Sequence, residues 1–328
     1  MKKVVFFTDI NKLHEALKYF NIANFSGKEI PIKLHMGEIK NKYFPRYQDV
    51  KYVVDELKKV GSDPFFTDTT VAYSGLRSSK SGYLKVAKLH GFTKKKTGCD
   101  AIIDDTGVLN SVEGRDYEIA DQINNASYIF AFSHVKGHIA TGMGGAIKNF
   151  GMGGVTKETK QKMHQGSRPV YKKDNCTYCG ICAEVCPFNS ITVTEDDWDQ
   201  NMRNCFGCGV CVDQCPSDSL RFKEADFNYV LACAAKACVE GKQVIYLNDV
   251  NRIAKSCDCD PFAGPVICPD IGYLVSDDPV AIDKASVDLI HKVKPDVFKK
   301  VNKIDPFKQI TFAEDIGLGS ASYQLIEL

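Results

Sequence analysis

Residues 176–187 read CTYCGICAEVCP and residues 205–216 read CFGCGVCVDQCP, two copies of C-x2-C-x2-C-x3-C-P. Eight of the chain's 14 cysteines lie within this stretch of 40 residues. Such spacing lets three thiolates wrap one inorganic core from a tight turn. The fourth, at the start of the following helix, reaches across to a second core. Gly180, Gly207 and Gly209 let the backbone curl with its N–H groups aimed at sulfur, and the proline after each fourth cysteine fixes the chain direction. Disulfides would suit a small secreted protein, but this chain has 328 residues and shows no export signal, so the spacing is read as metal ligation. Structural zinc is the alternative, though its four-ligand sites usually show two separated C-x2-C pairs.

The paired run resembles that of bacterial two-cluster ferredoxins, which implies two [4Fe–4S] clusters with exchanged fourth ligands. By that rule Cys176, Cys179, Cys182 and Cys215 hold one cluster, and Cys205, Cys208, Cys211 and Cys186 the other. Clusters of this kind pass single electrons, which implies an external one-electron carrier or redox enzyme as partner.

Around this segment short apolar runs alternate with amphipathic ones. VVFFT (4–8), PIKLH (31–35), PFFTD (64–68), AIID (101–104), YIFAF (128–132) and VIYLN (244–248) read as buried strands. Segments 49–61, 81–92 and 227–242 read as helices, and 272–293 as a strand, a turn and a helix. The predicted fold is α/β, a largely parallel sheet flanked by helices, with an inserted two-cluster ferredoxin-like (α+β) module. The predicted boundaries are 1–169 with 226–328 for a discontinuous α/β domain, and 170–225 for the module. A net charge of +1 gives no basic excess for nucleic acid, and no apolar run reaches 18 residues, so no membrane span is expected. The start, MKKVVFFTDINKLHEAL, reads as a first strand and helix without a cleavage site, and a cytoplasmic protein is expected.

After the strand YIFAF comes SHVKGHIATGMGGAIKNFGMGG, where α/β sheets place ligands. Gly142, Gly144 and Gly145 permit close backbone approach, and Lys148 offers a point charge to an anion. The spacing fits neither a Walker loop nor G-x-G-x-x-G. A loop with solvated lysines, and structural roles for His134 and His138, are the plain alternatives. This segment, with TDTTVAYSGLRSSKSGYLKVAKLHGF, the cysteine runs, SCDCDPF and DIGYLVSDDPVAIDKASVDLI, resembles a family of uncharacterised iron–sulfur centre proteins. That resemblance spans about residues 30 to 292 and implies fold and clusters, but no reaction. Locally, His138-x3-Gly142-x-Gly144-Gly145-x2-Lys148, with His164 downstream, resembles the cofactor segment of nickel-pincer lactate racemases. It implies that Lys148 binds or tethers a cofactor, that His164 ligates a metal and that His138 is an acid/base. A flavin or a directly bound organic substrate is an equal expectation.

SCDCDPFAGPVICPD adds Cys257, Cys259 and Cys268. A tight turn there, joined by His164, would make an extra zinc, iron or nickel site or a redox site, the alternative being buried free cysteines. Cys233 and Cys238 read as core, and Cys99 has no partner signal. Asp104 and Asp105 read as turn residues or as neighbours of the histidines. Arg77, Lys33 and His35 read as surface charge or as ligands of a small anionic substrate. The functional expectation is an iron–sulfur oxidoreductase that exchanges single electrons at a crevice lined by His134, His138, Lys148 and His164, with Cys257 and Cys259. A non-enzymatic electron carrier and a metal- or cofactor-binding protein are the alternatives.

Overall fold

The computed structural model of the protein describes residues 1–328. Eight strands make the main sheet: β1 (Lys2–Phe7), β2 (Glu29–Lys33), β3 (Asp63–Thr69), β4 (Ala101–Asp104), β5 (Tyr128–His134), β6 (Gln243–Val250), β7 (Gly272–Ser276) and β8 (Tyr323–Glu327). Their spatial order is β8-β1-β7-β6-β5-β2-β3-β4. Every pairing is parallel except those of β7, which runs antiparallel to β1 and β6. The expected α/β fold with a mostly parallel sheet is the observed one. Residues 251–271, between β6 and β7, contain no helix, and without a crossover helix the chain returns antiparallel.

Both faces of the sheet are covered, which is why its strands read as continuous apolar runs. In β5, Ile129 and Ala131 face one core while Phe130 and Phe132 face the other. Helices α1 (Tyr47–Lys59) and α2 (Lys80–Leu89) bury Val53 and Val86 in the second of these cores. On the opposite face lie α3 (Ala146–Gly153), α4 (Lys157–Gly166), α5 (Phe227–Val239), α6 (Pro279–Val293) and α7 (Phe307–Asp315). They contribute Ile147, Met163, Leu231, Val287 and Ile310 to the first core. No helix is long and apolar enough to cross a membrane.

Residues 169–222 add nothing to the main sheet. Pro169–Tyr171 pairs with Leu220–Phe222, and Ile191–Val193 with Trp198–Gln200. The cysteine duplication extends to the backbone, because every feature recurs 29 positions later. Tyr178 and Gly207 have φ of 52° and 76°, Gly180 and Gly209 77° and 78°, and Asn189 and Asp218 48° and 51°. Strand Pro169–Tyr171 recurs as Trp198–Gln200, and helix Ile181–Glu184 as Val210–Asp213. Each half pairs its strands with the other half, so neither is a closed unit alone.

Candidate functional site

Parallel strands deliver their carboxyl ends to one side of a sheet. Lys33 ends β2, Asp68 and Thr69 end β3, and His134 ends β5. Above them α3 brings Lys148 and Asn149, and α4 brings Lys160 and His164. These side chains wall a cavity of about 340 Å³, which continues past His138 to Arg168, Phe206 and Cys205.

Four histidines border the cavity, each held differently. His134 is buried, with Nδ1 2.9 Å from Asp258 Oδ1 and Nε2 2.8 Å from the Asn251 carbonyl. Both ring nitrogens are therefore engaged by the protein, and this ring positions the 251–258 loop rather than serving as a free base. His138 Nδ1 accepts from the Ala140 N–H at 3.2 Å, which leaves the ring proton on Nε2. Burial, then Lys148 and His164, hold His138 well below the ordinary histidine range, so the ring is neutral. His35 Nδ1 likewise accepts from Gly37 N–H at 3.0 Å, and its Nε2 is buried without a partner. His164 stacks on Phe227 at 4.6 Å and tilts against Phe206 at 4.2 Å. Its Nδ1 has no partner, and burial with Lys148 and Arg168 lowers the ring to about 3.

Cations dominate the wall. Lys33 Nζ donates to Asp68 Oδ1 at 2.9 Å and Asn149 Oδ1 at 2.8 Å. Asp68 also accepts from Tyr83 and lies 3.9 Å from Arg77. Burial opposes its ionisation, but Lys33, His35 and Arg77 keep it an anion. Lys136 Nζ sits 3.1 Å from Asp258 Oδ2, and Lys160 donates to Thr69 Oγ1 at 2.5 Å and the Thr70 carbonyl at 2.6 Å. Lys148 alone makes no hydrogen bond or ion pair with protein. Burial, with Lys136 beside it, brings Lys148 down to about 7, and burial does the same to Lys160. The Nε atoms of Arg77 and Arg168 are also buried without an acceptor. Unpaired buried donors are costly, and so many around one cavity fit an anionic ligand that supplies the acceptors.

The glycines serve the fold more than a ligand. A Cβ at Gly145 would meet the Asp283 carboxylate at 2.3 Å, and one at Gly142 would meet the Ile304 carbonyl at 2.7 Å. Asp283 accepts from Ala146 N–H at 2.7 Å and Ile147 N–H at 2.9 Å, so a carboxylate of the protein itself caps α3. Gly144 makes room for the Lys148 side chain. Of the three glycines only Gly145 borders the cavity, and the expected backbone cradle is closed.

Cys176, Cys179, Cys182 and Cys215 line one small cavity with Tyr171 and Trp198, whose Oη and Nε1 are buried without acceptors. Cys186, Cys205, Cys208 and Cys211 line another. Main-chain N–H groups of Tyr178 and Ser190 point at Cys176 Sγ and Cys186 Sγ at 3.4 and 3.3 Å. No three His, Cys, Asp or Glu side chains converge on a point fit for a single ion. Each void is thus bordered by three cysteines of one run and the last cysteine of the other. Phe206 and Cys205 border both the second void and the cationic cavity.

His164 and Cys259 face the main cavity, Cys257 pairs with Cys259, and no group of three ligating side chains gathers there. Cys99, Cys233, Cys238 and Cys268 are buried. Asp104 accepts from Gln122 N–H at 2.9 Å, and Asp105 pairs with Lys80 at 2.6 Å on the surface. Lys33, His35 and Arg77 do reach the cavity. Lys136, Lys160, Asp68 and Arg168 were not singled out in the sequence. None of these four carries a local signal in the sequence, because they meet only where strand ends and helices far apart in the chain come together.

No curated protein matches the chain. Among solved structures it is similar to the lactate racemase apoprotein from Thermoanaerobacterium thermosaccharolyticum, at 13% identity over 76% of this chain and 51% of that one, TM-score 0.42. It is also similar to a protein from Thermotoga maritima, at 10% identity over 73% and 50%, TM-score 0.40. The chain spans about half the length of each. The model of the domain of unknown function DUF362 matches residues 30–288, and the chain belongs to that family.

Proposed function

We propose that the protein is an iron–sulfur oxidoreductase that changes the oxidation state of a small organic anion in the cationic cavity. One observation carries this reading: Cys205 and Phe206 border both the second cysteine-lined void and the cavity that holds Lys148 and His138. Two [4Fe–4S] clusters, held by the two cysteine sets, would supply or accept single electrons there. The chain's own residues do the rest. Lys33, Arg77, Lys136 and Lys160 set a positive field that draws in a carboxylate or phosphate. Lys148, with no partner of its own, contacts the ligand directly. His138, neutral and with its proton on Nε2, offers a hydrogen-bond donor to the bound anion. Phe206 and Phe227 shield the end nearest the cysteines from water.

A second reading is favoured by the free Lys148 amine and the unpartnered His164 Nδ1: the cavity holds a bound organic cofactor or metal. Anaerobic purification separates the two. Iron near eight atoms per chain, with dithionite-reduced protein reoxidised by added organic anions, supports the oxidoreductase. Nickel or zinc, or an organic mass released on denaturation, supports the cofactor holder. Colourless, iron-free anaerobic protein overturns the first reading, as does a His138→Ala, Lys148→Ala pair that leaves reoxidation unchanged.

A further inference from the structure

The strand-linking loop at 251–271 carries Cys257-Asp258-Cys259 and borders the cationic cavity at Cys259. The protein grips this tripeptide from several sides. Glu38 N–H donates to the Asp258 carbonyl at 3.0 Å, and Asn41 Nδ2 to the Asp260 carbonyl at 2.7 Å. The Asp258 side chain points inward, to His134 and Lys136. The two sulfurs turn toward each other and are bonded. They differ in access: Cys257 is 5% exposed, whereas Cys259 is half-buried and borders the cavity. Cys259 N–H is directed at Cys257 Sγ at 3.3 Å. One sulfur bordering a cation-lined cavity, with its partner sheltered behind it, is the layout of a thiol–disulfide exchange centre.

We propose that Cys257 and Cys259 form a redox-active dithiol/disulfide couple that exchanges with a small anionic disulfide bound in the cavity. In the reduced state the Cys259 thiolate attacks one sulfur of the ligand, forming a mixed disulfide and releasing one thiolate. Cys257 Sγ then attacks the Cys259 sulfur, forming the Cys257–Cys259 bond and releasing the second thiolate. Each leaving thiolate takes up one proton. Two electrons and two protons from a dithiol reductant restore the reduced pair, so the cycle balances. The anionic preference follows from Lys148, Lys136 and Arg77, and a dicationic disulfide of equal length is repelled. This couple goes beyond the iron–sulfur reading and does not depend on it, because the exchange needs no iron.

The test uses the full-length protein and site-resolved mass spectrometry, so that labelling of the other cysteines is counted separately. Diamide followed by dithiothreitol switches Cys257 and Cys259 together between alkylation-resistant and alkylation-competent forms. Reduced protein is then offered 3,3′-dithiodipropionate, a dianion, or cystamine, a dication. Cys257→Ser accumulates a mixed disulfide at Cys259 with the dianion at least about tenfold faster than with the dication, and Cys259→Ser accumulates none there. Should the serine variants fail to fold, the wild type still reads out, as two small thiols released per reduced chain. Equal or inverted rates for the two probes, or alkylation of Cys257 and Cys259 that ignores diamide and dithiothreitol, overturns the proposal. Failure here with iron-loaded, reoxidisable protein leaves the oxidoreductase standing, and success with iron-free protein leaves the couple standing without it.

Discussion

Lys148 is a residue where the chain gives up stability for an open site. Its amine is buried among other cations with no carboxylate of its own, and it is lowered to about 7. The sign of the consequence follows from linkage. The folded amine binds its proton more weakly than the unfolded one, so between about 7 and the ordinary lysine value the unfolded chain holds more protons, and stability rises with pH. Lys148→Met should therefore stabilise the ligand-free protein at pH 7, by about 1–2 kcal/mol in chemical denaturation. Anion binding runs the other way. Succinate, followed by calorimetry, should bind wild type best below pH 7 and lose up to about tenfold per pH unit above it for each of Lys148 and Lys160 that it contacts, as they deprotonate. In Lys148→Met the affinity should be lower throughout and its pH dependence shallower. A more stable wild type, or binding that strengthens above pH 8, would show that another group governs the site. The Gly-rich segment pointed to Lys148. Nothing in the residues around Lys136 or Lys160 did, because their role depends on strand ends and helices far apart in sequence meeting at one edge.

Helix α3 shows what sequence spacing reveals and what it hides. The strand that leads into SHVKGHIATGMGGAIKN was legible, whereas the small hairpin of Lys136–His138 with Gly142–Gly144 and the helix that follows it were not. The identity of the group at that helix start was not legible, since Asp283 lies 137 and 136 positions from the amides it accepts. Asp283 also accepts from Asn248 Nδ2 at 2.8 Å, which ties α3, α6 and β6 together. Asp283→Ala would leave three buried donors unpaired and should cost about 2–4 kcal/mol in denaturant unfolding. The folded fraction should bind succinate with wild-type affinity, because α3's amides belong to the protein and not to the ligand. A large loss of affinity with stability intact would return that helix terminus to the ligand.

At the scale of the molecule, the cysteine segment packs most tightly on the α/β body at Gly207, beside Phe206 against His164 and Asp213 paired with Lys308. A Cβ at Gly207 would come within 1.9 Å of the His164 carbonyl on α4, whereas its counterpart Tyr178 carries a full side chain at a similar φ. The two halves of the duplication have thus diverged where one of them docks. The alternation of apolar runs announced the α/β body, and the cysteine repeat marked residues 169–222, which stand outside its main sheet. Their relative placement rests on contacts between a helix of one and a turn of the other, which no local pattern encodes. The docked half brings the void of Cys186, Cys205, Cys208 and Cys211 beside the cavity and leaves that of Cys176, Cys179, Cys182 and Cys215 farther out. Under the proposed reading, in which two [4Fe–4S] clusters exchange their fourth ligands, the last cysteine of each run makes an unusual demand on mutants. Cys186 belongs by sequence to the first run, yet Cys186→Ser should damage the centre beside the cavity, and Cys215→Ser, in the second run, should damage the outer one. Each should lower iron from about eight to about four atoms per chain. Reoxidation by an anion in the cavity should fall much further in Cys186→Ser, while reduction by an outside carrier should fall further in Cys215→Ser. If the two effects followed the order of the runs in the sequence instead, the pairing of each run's last cysteine with the other run would be wrong, and with it the path from the module to Lys148.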